Sequence, residues 1–97
     1  MIKLIEVCEL LNASNSSKQK YMLREIFINP KHIIALREEP NYKQKLLEKE
    51  LPKELDMRQE FTRLTLNRGH SGLDIVVVGL PILIEEKIKG ARHVLHG

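Results

Sequence analysis

Alternating apolar and polar positions predict strands along the first 40 residues. Strand-forming aliphatic residues fill residues 2–11, and small polar residues then predict a mobile hairpin loop over residues 12–18. Residues 21–28 alternate again and end at Asn29 and Pro30, which suit the first two positions of a type I turn. A third strand is predicted over residues 33–36, before Pro40.

The clearest alternation lies later in the chain. Over residues 61–67, Leu64 and Leu66 fall on one face of the predicted strand, while Arg63 and Thr65 fall on the other. Residues 68–72 supply turn formers, and residues 74–78 are the predicted partner strand. This part of the chain is therefore expected to form a β-hairpin.

The segment between these groups of strands, residues 40–60, has a different composition, rich in Lys, Glu, Leu and Gln. Leu47, Leu51 and Leu55 are four residues apart, as on one face of a helix, but Pro52 interrupts that face. Three alternatives stay open: a short helix ending near Leu51, a helix starting at Pro52, or a solvated excursion. We expect the segment to lie outside the core, with the three leucines as interface contacts that pack on a neighbouring subunit or on the outside of the sheet.

The last predicted element is a short helix that begins at Pro81 and ends at Gly90, followed by a tail over residues 91–97. The whole pattern predicts one domain over residues 1–97 of the α+β class. A small antiparallel sheet is expected to curl into a half-open barrel, with a short helical insertion and the C-terminal helix closing one end.

Composition narrows the classes of function. The 97 residues include four aromatic side chains and no Trp, which disfavours a base-stacking surface for single strands. The net charge of +3 comes from basic residues interspersed with acidic ones, so no basic arm or patch is evident and nucleic-acid binding is not expected.

The chain is expected to be cytoplasmic. Its one cysteine, Cys8, cannot form an internal disulfide, and residues 1–6 lack the features of a secretory signal. The longest apolar run, residues 75–84, contains Gly79 and Pro81 and is too short to span a bilayer.

Three motifs resemble the small flagellar-operon protein family called FlbD and related bacterial and phage proteins. They are I-N-P-K-H-I at residues 28–33, T-R-L-T-L-N-R-G at residues 62–69 and V-V-V-G-L-P at residues 76–81. The resemblance implies a fold of short strands followed by a short helix. The chain departs from the family in its insertion at residues 40–60 and in the apolar residues at the start of its last helix.

Candidate chemistry is sparse. His93 and His96 have a spacing found in metal sites, but nothing places His70 beside them as a third ligand. Ser71, His70 and Asp74 are residue types of a catalytic triad, yet neighbours in one tight turn cannot orient one another as nucleophile, base and orienting group. We expect no enzyme activity, no metal site and no cofactor.

Two candidate binding surfaces remain. Arg63, Arg68 and His70 lie on or just after one strand and are candidates for binding an anion, such as a small molecule or nucleic acid; the alternative is an ordinary solvated strand face.

The second candidate surface lies at the start of the last helix. Leu80, Ile82 and Leu83 exceed the apolar stripe that one short helix can bury on a sheet. They predict a non-catalytic interaction or assembly module that forms a homo-oligomer or binds another protein.

Overall fold

The computed structural model of the chain describes residues 1–11, 18–68 and 71–96, and gives no side-chain placement for residues 68, 71 and 92–96. The predicted loop over residues 12–18 therefore lies, except for Lys18, outside the described residues, and so does His70. Within the described residues there are five strands: β1 (Ile2–Glu9), β2 (Tyr21–Ile28), β3 (Ile33–Glu38), β4 (Phe61–Arg68) and β5 (Ser71–Val78). The same residues contain two α-helices, α1 (Asn41–Leu47) and α2 (Pro81–His96).

The strands form one sheet in the order β2-β1-β5-β4-β3, and every neighbouring pair is antiparallel. The α+β class and the antiparallel sheet are thus confirmed. The sheet does not close, because β2 and β3 are its two edges in the part of the chain that is described. β2 begins and ends at the predicted residues.

A short link joins the two edge strands. Residues 29–32 join β2 to β3, and they include the 3₁₀ turn Pro30–His32, capped by the Asn29 side chain. Five Cα steps reach at most about 18 Å even when extended. The edges of a flat five-stranded sheet lie about 19 Å apart. A curled sheet, as in a half-open barrel, would shorten the distance that this link spans.

One face of the sheet holds the first core cluster. Ile84 and Ile88 of α2 pack with side chains from β1, β2, β4 and β5, namely Ile2, Leu4, Ile28, Leu64 and Val77. The periodicity that predicted a helix from Pro81 placed Ile84 and Ile88 four apart, so both face the sheet. α2 is therefore attached to this face along its first half.

The opposite face holds a second core cluster, and the insertion covers it. Leu46 and Leu51 are buried there with Val7, Tyr21, Phe61 and Val76, and Leu55 packs against the cluster. Neighbouring residues of β5, Val76 and Val77, serve the two clusters in turn because side chains alternate across a strand. The expectation that residues 40–60 lie outside the core is wrong.

Backbone hydrogen bonds fix the insertion to the sheet. The carbonyl of Glu50 accepts hydrogen bonds from the backbone N–H groups of Lys20 and Tyr21, at 2.8 and 3.1 Å. The N–H of Glu39 donates to the carbonyl of Phe61 at 3.0 Å. The first two bonds hold the middle of the insertion beside β2, and the third joins the residues that flank its two ends.

Both helix boundaries differ from the prediction. α1 ends at Leu47, well before Pro52, because Lys49 turns into the left-handed region at φ 65°. α2 continues through Gly90 to His96, so the predicted tail is largely helical. One glycine costs about 1 kcal/mol in a helix, which weakens the helix without ending it.

Candidate functional site

The start of α2 exposes three large aliphatic side chains. Leu80, Ile82 and Leu83 are 40%, 56% and 50% exposed. Successive residues of a helix point about 100° apart, so Ile82 and Leu83 cannot share the inward direction of Ile84. Sequence periodicity predicted this surplus, and the structure places all three side chains at the surface of the chain.

Gly90 lies on the outer part of the same helix, seven residues after Leu83. It is exposed, and a Cβ built on it would have nothing within 4 Å apart from the helix itself and its neighbours in the chain. Packing within the described chain therefore gives no reason for a glycine here. An alanine would favour the helix by about 1 kcal/mol.

Acidic residues precede basic residues along the exposed part of α2. Glu85 and Glu86 precede Lys87 and Lys89, and all four are exposed. Lys89 Nζ lies 3.1 Å from Glu85 Oε1, and Lys87 Nζ donates to the carbonyl of Lys3 at 3.3 Å. We name the outer face formed by Ile82, Leu83, Glu86, Lys89 and Gly90 the α2 seam.

The three leucines of the insertion do not share one surface. Leu51 is 3% exposed and Leu55 is partly buried in the second cluster, whereas Leu47 is 53% exposed. Leu51 therefore stabilises its own chain and presents no contact surface to a second protein. Their spacing suggested one helical face, but α1 ends at Leu47 and the other two leucines lie beyond it.

The candidate anion site is partly described. Arg63 Nε donates a hydrogen bond of 2.6 Å to Oε2 of Glu39, and Arg63 Nη1 lies 3.7 Å from Oδ2 of Asp74. The same Asp74 oxygen lies 3.4 Å from Arg37 Nη2. Two carboxylates thus balance the two guanidinium groups. The Arg68 side chain and His70 fall outside the described part of the chain.

Three aromatic rings, those of Tyr21, Tyr42 and Phe61, form a further group on the sheet. The Tyr21 and Tyr42 ring centroids are 5.4 Å apart, and those of Tyr42 and Phe61 are 6.1 Å apart. Lys45 Nζ lies 5.2 Å from the Tyr21 centroid. Burial, and then the neighbouring Tyr21, raise the pKa of Tyr42. Tyr21 and Phe61 are buried in the second core cluster, and Tyr42 packs against it.

The described residues contain no group of three or more His, Cys, Asp or Glu side chains placed to hold a metal ion. The side chains of His93, His96 and Ser71 are outside the description, and Asp74 is engaged by Arg37 and Arg63.

Burial, and then the charge of Glu6, raise the pKa of the Cys8 thiol. A raised pKa keeps that thiol protonated and makes it a poor nucleophile.

Sequence analysis missed a depression between the insertion and the start of β2. Lys18, which precedes β2, and Lys49 and Lys53 of the insertion line it together with apolar side chains of the second core cluster. The one local signal was the density of lysines in residues 40–60, which does not show which of them meet.

Among the helices of the described residues, neither has the length and apolar character that crossing a bilayer requires. Comparison with protein-family models, with curated proteins and with solved structures finds no match to this chain.

Proposed function

We propose that the protein is a non-catalytic assembly module that forms a homo-oligomer through the α2 seam, with the curled sheet, as a half-open barrel, supporting the helix. The observation that carries the proposal is the exposure of Ile82 and Leu83 on a helix whose inward stripe is already filled by Ile84 and Ile88. Contiguous exposed apolar side chains mark sites of association.

The pattern of charge favours a second copy of this chain as the partner. In an antiparallel pair of helices about a twofold axis, the early part of each helix lies beside the late part of the other. Glu86 of one copy then meets Lys89 of the other copy, twice. The exposed Lys89–Glu85 pair within one chain is worth under about 1 kcal/mol, so it exchanges partners at little cost.

Gly90 fits the same arrangement. Packed helices approach to about 8–10 Å, and a residue without a side chain lets the partner come closest. In an antiparallel pair centred midway between Glu86 and Lys87, Gly90 of one copy faces Leu83 of the other, and Lys89 of each copy lies within one helical turn of the two Glu86 side chains that meet near the axis. The glycine then has a use that packing within one chain does not give it.

Two variants test the proposal by light scattering. Ile82→Glu should reduce the mass to that of the monomer while the circular dichroism spectrum stays that of a folded chain. Gly90→Ala should also weaken association, although it makes an isolated helix more stable by about 1 kcal/mol. Lys31→Glu, at an exposed position outside α2, is the control and should leave the mass unchanged. A mass that neither seam variant lowers would refute the proposal.

We place this module in the cytoplasm, since its lone cysteine suits a reducing compartment. The resemblance to the FlbD family remains a hypothesis, and the proposed assembly role does not depend on it.

A further inference from the structure

The depression beside the insertion has the dimensions and floor of a small-molecule site. Its volume is about 510 Å³, within the range of about 300–1,000 Å³ that is usual for such sites. Leu46, Leu51, Leu55 and Met57 form its apolar part. Leu46 and Leu51 belong to the second core cluster, so the floor is held in place by the packing of the sheet.

The rim of the pocket is cationic. Lys18, Lys49 and Lys53 line it, and its lining includes no Asp or Glu. None of these lysines forms an ion pair with another residue of the described ranges 1–11, 18–68 and 71–96. Three like charges around an apolar floor favour a negatively charged occupant.

Lys49 is held in an unfavourable backbone conformation. Its N–H donates to the carbonyl of Leu46, and the N–H of Glu50 donates to that of Lys45, which together form the Schellman motif at the end of α1. The residue at this position has φ 65°, where glycine is the usual choice. Lys49 thus occupies a position where glycine is favoured, and its side chain lines the pocket beside the apolar residues.

We propose that this pocket binds an amphiphilic carboxylate, a small molecule with an alkyl chain and one anionic head. The alkyl chain packs in place of water on Leu55 and Met57, the apolar lining residues that are partly buried and exposed, respectively, and the carboxylate lies among Lys18, Lys49 and Lys53. Each part of the ligand meets a matching surface: burial of the chain supplies affinity, and the lysines select the sign of the head group. The site lies in the insertion, away from the α2 seam, so it does not depend on the proposed assembly.

The test is a titration of the ¹⁵N-labelled full chain followed by NMR, with decanoate as the probe. We expect saturable shifts in the backbone amides of residues 46–57, and weaker binding as salt is raised. Acetate tests the need for the alkyl chain, and decyltrimethylammonium tests the need for negative charge. Equal binding of the cationic amphiphile, or shifts centred on the α2 seam, would overturn the proposal.

Variants of Lys49 separate binding from folding. Lys49→Gly should raise the midpoint of thermal unfolding by several degrees because it removes the backbone strain. It should also weaken decanoate binding about threefold, the effect expected for one partly exposed ion pair. Lys49→Arg should retain binding, and Lys31→Met is the control outside the pocket. Unchanged decanoate affinity in Lys49→Gly would show that the lysine is not part of a carboxylate site and would refute the assignment.

Discussion

The hydroxyl of Thr62 donates a hydrogen bond of 2.8 Å to the backbone carbonyl of Gly79. Both residues are buried, and Gly79 has φ 126°, a conformation that favours glycine. The N–H of Gly79 donates to the carbonyl of Glu60 at 2.9 Å. These bonds fix the direction in which the chain leaves β5 and enters α2, and so determine which helix residues face the solvent.

Replacing Thr62 by Val should lower the free energy of unfolding by about 1–2 kcal/mol, because the buried Gly79 carbonyl loses its side-chain donor while the side-chain volume is kept. Urea unfolding measures the change. Thr65→Val, on the same strand and on its other face, is the control and should change stability by under about 0.5 kcal/mol. Equal effects of the two substitutions would contradict the role given to the hydrogen bond.

The insertion is expected to unfold together with the sheet. Leu51→Ala should cost about 2–4 kcal/mol, since it leaves a cavity among side chains from β1, β2 and β4. Leu47→Ala, at an exposed position only four residues earlier, should cost under about 0.5 kcal/mol. A Leu51→Ala variant that unfolds at the same urea concentration as Leu47→Ala would show that the insertion is accessory after all.

The strands were predictable because alternation is a local signal, and β2 matches its predicted bounds. The position of the insertion on the sheet was not predictable, because a stripe of leucines does not reveal which surface it covers. Pro52 and Gly90 were both expected to set a helix boundary, and neither does. α1 ends earlier through the backbone conformation of Lys49, and α2 tolerates Gly90, whose cost is about 1 kcal/mol.

Glu39 and Arg63 should be energetically coupled. Glu39 is 6% exposed, so Glu39→Gln removes a buried charge partner of Arg63 and should cost about 2 kcal/mol. This is below the cost of a fully buried pair, since Arg63 retains Asp74. A double-mutant cycle with Arg63→Met should give a coupling energy above about 1 kcal/mol. The more exposed pair of Glu6 and Arg24 is the control, and its coupling should be smaller because solvent screens it. Similar coupling in both pairs would contradict the prediction.

Stability should fall in alkaline solution. The raised pKa of Tyr42 means that the folded chain prefers the neutral phenol. Its contribution is fully present below the ordinary tyrosine pKa of about 10 and is lost as pH rises beyond that value. The pKa of Lys45 is raised, first by its hydrogen bond with Tyr21, so this contribution is lost in the same direction.

The measurement is the free energy of unfolding between neutral pH and about pH 11. Tyr42→Phe should reduce the alkaline loss, because it removes the phenol whose pKa is raised in the folded chain. An identical pH dependence in the variant would show that Tyr42 does not contribute to it.

The sequence predicted one of the two candidate sites and not the other. The exposure of Ile82 and Leu83 followed from helical periodicity within a few residues. The lysine-rimmed pocket could not be predicted in this way, because Lys18 precedes β2 whereas Lys49 and Lys53 belong to the insertion. Only the docking of the insertion on the sheet brings them together. The ion pairing of Arg63 likewise depends on Glu39 and Asp74, which are distant in sequence.

Self-association through the α2 seam is the central claim, and sedimentation equilibrium of the unmodified chain tests it most directly. The account predicts a mass of at least twice the 11.3 kDa of one chain at micromolar concentration, shifting toward the monomer on dilution. The Ile82→Glu variant should sediment as a monomer under the same conditions. A mass of one chain for the unmodified protein throughout the concentration range would contradict the account.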